Sequence, residues 1–320
     1  MRIGLAGTGF IAERHYNGFL NNKDSEIVGI CSYKKTEKAA MLSEKWKLHL
    51  YENFEEMTSD ESLDAIIIGS PNTKHYEQAI AAMKKGKHIL IEKPVVTDIS
   101  QIDILEKTAL ENNVVLFPAH NFVYRESVQI AKQMISEGKL GKIIYSSFMS
   151  THTTSEEHAH GWRADLNLSS GGTLMDSGHH QVYMSLYLMG KPKKIQAFKS
   201  NLVLTNMEGE DIAQVNMLYP DDSIGNIMQS LASDYETGIN GVKIFGDKGS
   251  LAITDALYVN GEKLSTDVDY DKSFENQAKA FSDCVLKGTK PLSTLDDVKA
   301  TLQIIYGAYK SSETDSVTSF

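Results

Sequence analysis

The sequence predicts a two-domain α/β protein. An α/β Rossmann domain, a doubly wound parallel sheet, comes first, and an α+β domain with an open, largely antiparallel sheet follows. Three observations carry this. The first 120 residues alternate short apolar runs with helical patterns, the rhythm of β-α-β units. A glycine turn, Gly7-Thr8-Gly9-Phe10-Ile11-Ala12, stands directly after the first apolar run. Beyond Gly190, strand-like runs succeed one another without intervening helices, which favours antiparallel pairing.

In order along the chain, buried strands are expected at residues 1–6, 26–31, 63–69, 88–91 and 114–118. Helical patterns separate them at 11–20, 36–46, 73–85 and 99–111. A helix over 123–137 is closed by Gly138 and Gly141, glycine being the usual residue just past a helix end. A strand at 143–150, a polar irregular segment at 151–170 and a helix at 173–189 come next. Later strands are expected at 194–205, 212–219, 223–233, 242–246 and 250–255, and helices at 274–286 and 295–311 finish the chain. The boundary therefore falls near residue 120, giving domains 1–120 and 121–320.

Bulk properties narrow the function. At 320 residues, two domains are the natural expectation. A composition of 41% hydrophobic and 23% charged residues is that of an ordinary globular protein. A formal charge of -10 argues against a nucleic-acid partner, which needs a basic surface, and against docking on an anionic membrane. No apolar run has the length of a membrane span, and the first six residues read as a strand rather than a leader peptide. The two cysteines, Cys31 and Cys284, have no metal-ligand spacing and suit a reducing compartment. The expected location is cytoplasmic.

The glycine turn has the form G-x-G-x-x-A between a strand and a helix, the fingerprint of dinucleotide binding. Gly7 permits the tight turn, Gly9 lets the backbone approach a pyrophosphate, and Ala12 allows close helix–strand packing. The helix N-terminus offers unpaired N–H groups to the phosphates. Gly7, Thr8, Gly9, Phe10 and Ile11 are the candidate contacts. An NAD-selective site usually has an acid at the end of the second strand, yet none occurs from Ile27 through Thr36. Ser32, followed by Lys34 and Lys35, would tolerate a 2′-phosphate, so NADP is favoured over NAD. The alternative is that the lysines simply begin a solvated helix.

Three further motifs join the fingerprint. Gly69-Ser70-Pro71-Asn72-Thr73-Lys74-His75 follows the third strand, Glu92-Lys93-Pro94 follows the fourth, and Asp176-Ser177-Gly178-His179-His180 has the form D-x-G-x-H. Together they resemble the glucose-fructose oxidoreductase / inositol dehydrogenase (Gfo/Idh/MocA) family over nearly the whole chain, including Gly246-Asp247-Lys248-Gly249-Ser250-Leu251. The resemblance implies an N-terminal NAD(P)-binding Rossmann domain. It also implies a C-terminal domain that covers the substrate and commonly mediates oligomerisation, here as a homodimer or homotetramer. It implies that Lys93 and His180 face each other beside the nicotinamide. Ser70, Pro71, Asn72 and Glu92 are candidate cofactor contacts, because ligands bind beyond the carboxyl ends of the strands in such sheets.

Those residue types suit hydride transfer. Alcohol oxidation needs a base for the hydroxyl proton, and carbonyl reduction needs an acid; imidazole titrates near neutrality and serves in both directions. Asp176 and His180 stand four residues apart on an expected helix, hence on one face, so the carboxylate either fixes the imidazole tautomer or contacts a substrate hydroxyl. Lys93 would stabilise the alkoxide, aimed by Pro94, which restricts its backbone. His179 falls off the D-x-G-x-H spacing. His75 either borders the cofactor or caps the following helix. Trp162-Arg163 and Tyr124 are further substrate-side candidates. The histidines at 152, 158, 160, 179 and 180 crowd together, but a polar lid has the same composition and no metal is expected. Where many relatives have an Asp three residues after the histidine, this chain has Tyr183, which weakens any claim to inositol or glucose. The expected function is an NAD(P)-dependent dehydrogenase of a sugar, sugar derivative or cyclitol, a small-molecule substrate. The alternatives are a relative with tightly bound dinucleotide doing non-net-redox epimerase, lyase or glycosidase-like chemistry, and a non-catalytic dinucleotide sensor.

Overall fold

The computed structural model describes residues 1–32, 36–154, 159–233, 240–265 and 268–320. The chain divides into two compact units. The first comprises residues 1–124 and 269–298, the second residues 125–268 and 299–320.

The first unit is built on six parallel strands. Along the chain run β1 (Arg2–Ala6), α1 (Phe10–Phe19), β2 (Glu26–Cys31), α2 (Glu37–Trp46), β3 (His49–Leu50), α3 (Phe54–Ser59), β4 (Ala65–Ile68), α4 (Asn72–Lys84), β5 (His88–Ile91), α5 (Ser100–Glu111) and β6 (Leu116–Pro118). The sheet order is β3-β2-β1-β4-β5-β6, so the order reverses direction between β1 and β4. In such sheets ligands bind beyond the carboxyl ends of the strands at that point. Ile66, Ile67 and Ile68 are fully buried, as strands covered on both faces require. The register aligns Cys31, Ala6, Ile68, Ile91 and Pro118 in one row. All five loops that follow therefore leave from a single edge.

The sequence pattern misses β3 and α3, which are too short to show a period. It also extends one helix too far back. Asn121–Tyr124 forms a separate 3-10 turn, and Arg125 is extended ahead of α6 (Glu126–Ser136). The Asn121 amide donates to Ser273 Oγ at 2.8 Å, a tertiary bond that sequence period does not reveal.

The second unit carries nine strands. After α6 come β7 (Ile143–Thr151), α7 (Leu166–Ser169), α8 (Gly178–Met189), β8 (Lys194–Ser200), β9 (Ile212–Leu218), β10 (Ile224–Ser230), β11 (Gly241–Gly246), β12 (Ser250–Ile253), β13 (Leu257–Val259) and β14 (Glu262–Ser265). Then follow α9 (Tyr270–Lys287), which belongs to the first unit, α10 (Leu295–Thr314), which begins there, and β15 (Thr318–Ser319). The order is β14-β13-β12-β11-β7-β10-β9-β8-β15. Every described pair is antiparallel except β7 with β10. One register row, Ala197, Val215, Ile227, Phe148, Val242 and Ile253, is buried throughout. The opposite face exposes Phe198, Ile224 and Phe245 by 56%, 54% and 44%.

Within the first unit α9 packs on α1. Gly18 of α1 packs so close to it that a Cβ there would stand 2.9 Å from the Phe274 carbonyl oxygen. The His15 and Phe274 rings meet edge to face at 5.4 Å.

Candidate active site

In the first unit the motifs meet at the strand ends. Gly7 has φ +126°, and a Cβ there would lie 2.3 Å from the Gly69 carbonyl oxygen, so only glycine fits. The turn is fixed by Gly7 N–H donating to the Cys31 carbonyl at 2.9 Å and Gly69 N–H to that of Ala6 at 2.8 Å. Gly9 caps α1 without a side-chain cap, and nothing lies within 4 Å of where its Cβ would stand. The first N–H groups of α1 therefore border open space in which an anion is favoured. Thr8 and Ile11 are half-buried and Phe10 is 69% exposed. These residues fit the pyrophosphate of a dinucleotide.

Ser70, Pro71 and Asn72 lead into α4, with Asn72 its first residue. Ser70 Oγ donates to Gln78 Oε1 at 2.5 Å. Ser32 follows β2 and is 8% exposed. Lys34 and Lys35, which carry the preference for NADP, lie outside the described residues, as does His158.

Two cofactor candidates turn out to be braces. His75 is 1% exposed, with Nδ1 2.8 Å from the Pro94 carbonyl oxygen and Nε2 2.9 Å from that of Ser70. Both ring nitrogens face backbone, so His75 ties the two motif loops together. Burial holds its pKa below the usual histidine value, against the opposing pull of the two carbonyls. Glu92 likewise points inward. Its Oε1 is 2.8 Å from His15 Nε2 and its Oε2 accepts the Lys93 N–H at 3.1 Å, anchoring α1 to the loop that presents Lys93. Lys93 itself is half-buried, and its bond to Pro94 is cis. Tyr124 is held equally firmly. It is 2% exposed, its hydroxyl accepts the Leu292 N–H at 3.1 Å, and its ring stacks on Phe117, so it belongs to the core. His120 is a buried group that sequence reasoning missed. Its Nδ1 is 2.7 Å from Ser293 Oγ, and burial, helped by the nearby Lys93 charge, pushes its pKa down to about 3.

The second unit holds the other motif. Asp176 lies before α8, in the turn that precedes Gly178, not on the helix as its spacing suggests. Its Oδ2 accepts Arg163 Nε–H at 3.1 Å, the two side chains being 23% and 32% exposed. Arg163 in turn lies over the Trp162 ring at 4.2 Å. His180 is half-buried on α8, with Nδ1 2.7 Å from Tyr183 Oη. His179 is fully buried, which leaves His180 as the accessible imidazole of the pair. Arg163, Trp162 and Asp176 thus form one cluster, and His180 and Tyr183 a second, on consecutive segments. The turn between Gly171 and Leu174 is held by Glu210, the other residue that sequence reading missed. A single glutamate near the start of a strand carries no distinguishing pattern.

Among the described residues no helix is long and apolar enough to cross a membrane. Cys31 and Cys284 are buried and unbridged.

Comparison with known proteins agrees with this geometry. Residues 1–120 match the model described as the oxidoreductase family with an NAD-binding Rossmann fold, and residues 128–252 match the GFO/IDH/MocA C-terminal domain. A scyllo-inositol 2-dehydrogenase (NADP(+)) of Bacillus subtilis is 27% identical over 62% of this chain and 61% of its own length. The match thus spans about three fifths of that relative. Myo-inositol 2-dehydrogenase of Thermotoga maritima is 25% identical over 98% of this chain and 96% of its own. The fold is that of the WlbA dehydrogenase from Bordetella pertussis, solved with NADH and UDP-GlcNAcA. The TM-score is 0.87 at 20% identity, covering 100% of this chain and 97% of that one. With a model of the family matched in each half of the sequence, the chain belongs to the GFO/IDH/MocA oxidoreductases, whose N-terminal domain is an NAD-binding Rossmann fold.

Proposed function

We propose that the protein is an NAD(P)-dependent dehydrogenase that moves hydride between nicotinamide and a hydroxyl-bearing carbon of a sugar, sugar derivative or cyclitol. The observation that carries this is the open, uncapped N-terminus of α1 that follows the glycine turn. The named relatives act on scyllo-inositol and myo-inositol. A bound dinucleotide would supply the hydride acceptor or donor.

The chain's own residues divide the remaining work. Gly7, Thr8, Gly9, Phe10 and Ile11 hold the phosphates, and Ser70, Pro71 and Asn72 border the cofactor. His180 takes or returns the hydroxyl proton at Nε2, its other nitrogen being engaged by Tyr183. Lys93 stabilises charge on the reacting oxygen. Asp176 and Arg163, joined to each other, bind substrate hydroxyls beside Trp162. The absence of an acid from Ile27 through Thr36 favours NADP. Residues 1–120 would serve cofactor binding and 121–320 substrate binding. A cytoplasmic location suits the buried thiols. The apolar side chains on the outer sheet face, Phe198, Ile224 and Phe245, suit a homodimer or homotetramer, which light scattering on the eluting protein would test.

The deciding experiment is a parallel fluorescence titration with NADH and NADPH, followed by turnover assays with scyllo-inositol and myo-inositol. Tighter NADPH binding and reduction of NADP+ by a polyol are expected. Failure to bind either dinucleotide, in protein freed of endogenous cofactor, overturns the proposal.

A further inference from the structure

A buried carboxylate in the second unit is used by none of the chemistry above. Glu210 is 6% exposed, and burial raises its pKa, with hydrogen bonds pulling the other way. Its two oxygens are spent on one turn. Oε2 accepts the Gly172 N–H at 3.2 Å and Oε1 the Leu174 N–H at 2.9 Å. Oε1 also accepts the Tyr309 hydroxyl at 3.1 Å, and the Glu210 backbone carbonyl accepts Thr173 N–H at 2.8 Å.

The fit is close on every side. A Cβ on Gly172 would stand 2.2 Å from the Glu210 carbonyl oxygen, and one on Gly209 would stand 2.6 Å from Gly172 Cα. A Cβ on Gly171 would meet the Tyr309 hydroxyl at 2.3 Å. Gly172 and Gly209 thus let two backbone segments touch, Gly171 leaves room for the Tyr309 ring, and a carboxylate closes the contact. From this turn the bonding runs straight into the proposed site. Asp176 N–H donates to the Gly172 carbonyl at 3.1 Å, and Gly178 N–H, the start of α8, donates to that of Thr173 at 2.8 Å. Two residues later stands His180.

We propose that Glu210 is a positioning residue: by gripping the Gly172 and Leu174 amides it sets the turn that aims Asp176 and the first turn of α8, and with it His180. This rests on the function proposed above only for its effect on turnover. The placement of the two side chains is a property of the fold. Removing the carboxylate leaves two buried N–H groups unpaired, and such groups drive local rearrangement. Small displacements of reacting groups are costly in rate.

The test compares wild type with E210A, E210Q and Y309F. E210Q keeps one acceptor oxygen, and Y309F keeps the carboxylate but loses one of its donors. In E210A, hydrogen exchange at the Gly172 and Leu174 amides should rise at least about tenfold. The NMR titration midpoint of the His180 ring should move, while NADPH affinity stays within about twofold, because the fingerprint lies in the other unit. Where a polyol is turned over, kcat should fall about 10–100-fold in E210A, with E210Q restoring part of it and Y309F close to wild type. If E210A does not fold, E210Q supplies the same readings in smaller measure. Unchanged amide protection and an unchanged His180 titration in a folded E210A or E210Q overturn the positioning role. A wild type inert toward every polyol, with His180 still displaced in E210A, counts against the dehydrogenase reading alone.

Discussion

The proton on a neutral imidazole sits on one nitrogen, and for His180 the hydroxyl of Tyr183 governs which. If Tyr183 donates to Nδ1, Nε2 carries the proton and is ready to protonate an alkoxide; if it accepts from Nδ1, Nε2 is bare and ready to take one. A phenol serves both states, which would suit the reversible reaction proposed above. His180→Asn should lower kcat by at least about 10²-fold while leaving NADPH binding intact, read by stopped-flow and fluorescence titration. Tyr183→Phe should cost less, about 3–10-fold, and shift the pH optimum. Acid stability is decided by a different histidine. His120, pushed down to about 3, is neutral in the fold, with His75 and His88 lowered in the same direction. The unfolded chain therefore binds more protons below the ordinary histidine value of 6.5. The stability His120 contributes is complete above that value and falls as pH drops from it toward about 3, by up to about 1.4 kcal/mol per pH unit, and His75 and His88 act in the same direction. Urea unfolding at about pH 7.5 and about pH 5 should show a smaller acid loss in His120→Asn than in wild type.

At the scale of elements, the two fingerprint glycines do separate things. Gly7 is required by the fold, since its φ is +126° and Gly69 leaves no room for a methyl group; Gly7→Ala should cost about 1–3 kcal/mol of stability and abolish cofactor binding. Gly9 faces open space, so Gly9→Ala should leave the melting temperature nearly unchanged and weaken NADPH binding at least about tenfold. Thermal melts beside titrations distinguish the two. The long strands and helices of the first sheet were legible because period and turn chemistry both mark them. The two-residue β3 and six-residue α3 were not, being too short to repeat a period. The motif residues were legible as a set, but their division of labour was not. Nothing local distinguishes a glutamate or histidine that braces a loop, as Glu92 and His75 do, from one that touches a ligand. Likewise the spacing of Asp176 and His180 suggests one helix face, whereas the grip of Glu210 on the preceding amides delays the helix start to Gly178.

At the scale of the whole molecule, the first unit is assembled from two stretches of chain separated by the entire strand-rich part of the second. The helix α9 covers α1 with a contact that Gly18 makes possible. Residues 1–124 expressed alone should therefore lack a stable fold, giving weak helical circular dichroism and no cooperative melt, whereas the full chain melts cooperatively. A fragment that melts cooperatively at the temperature of the intact protein would show α9 to be dispensable.

That interleaving also sets a timetable for synthesis. Domains generally complete themselves as they emerge from the ribosome, the N-terminal one first. Here the leading part of the chain waits, with the α9-facing side of α1 bare, until residues 269–298 have been translated. Nascent chains halted before that point are the stage at which a chaperone has most to hold.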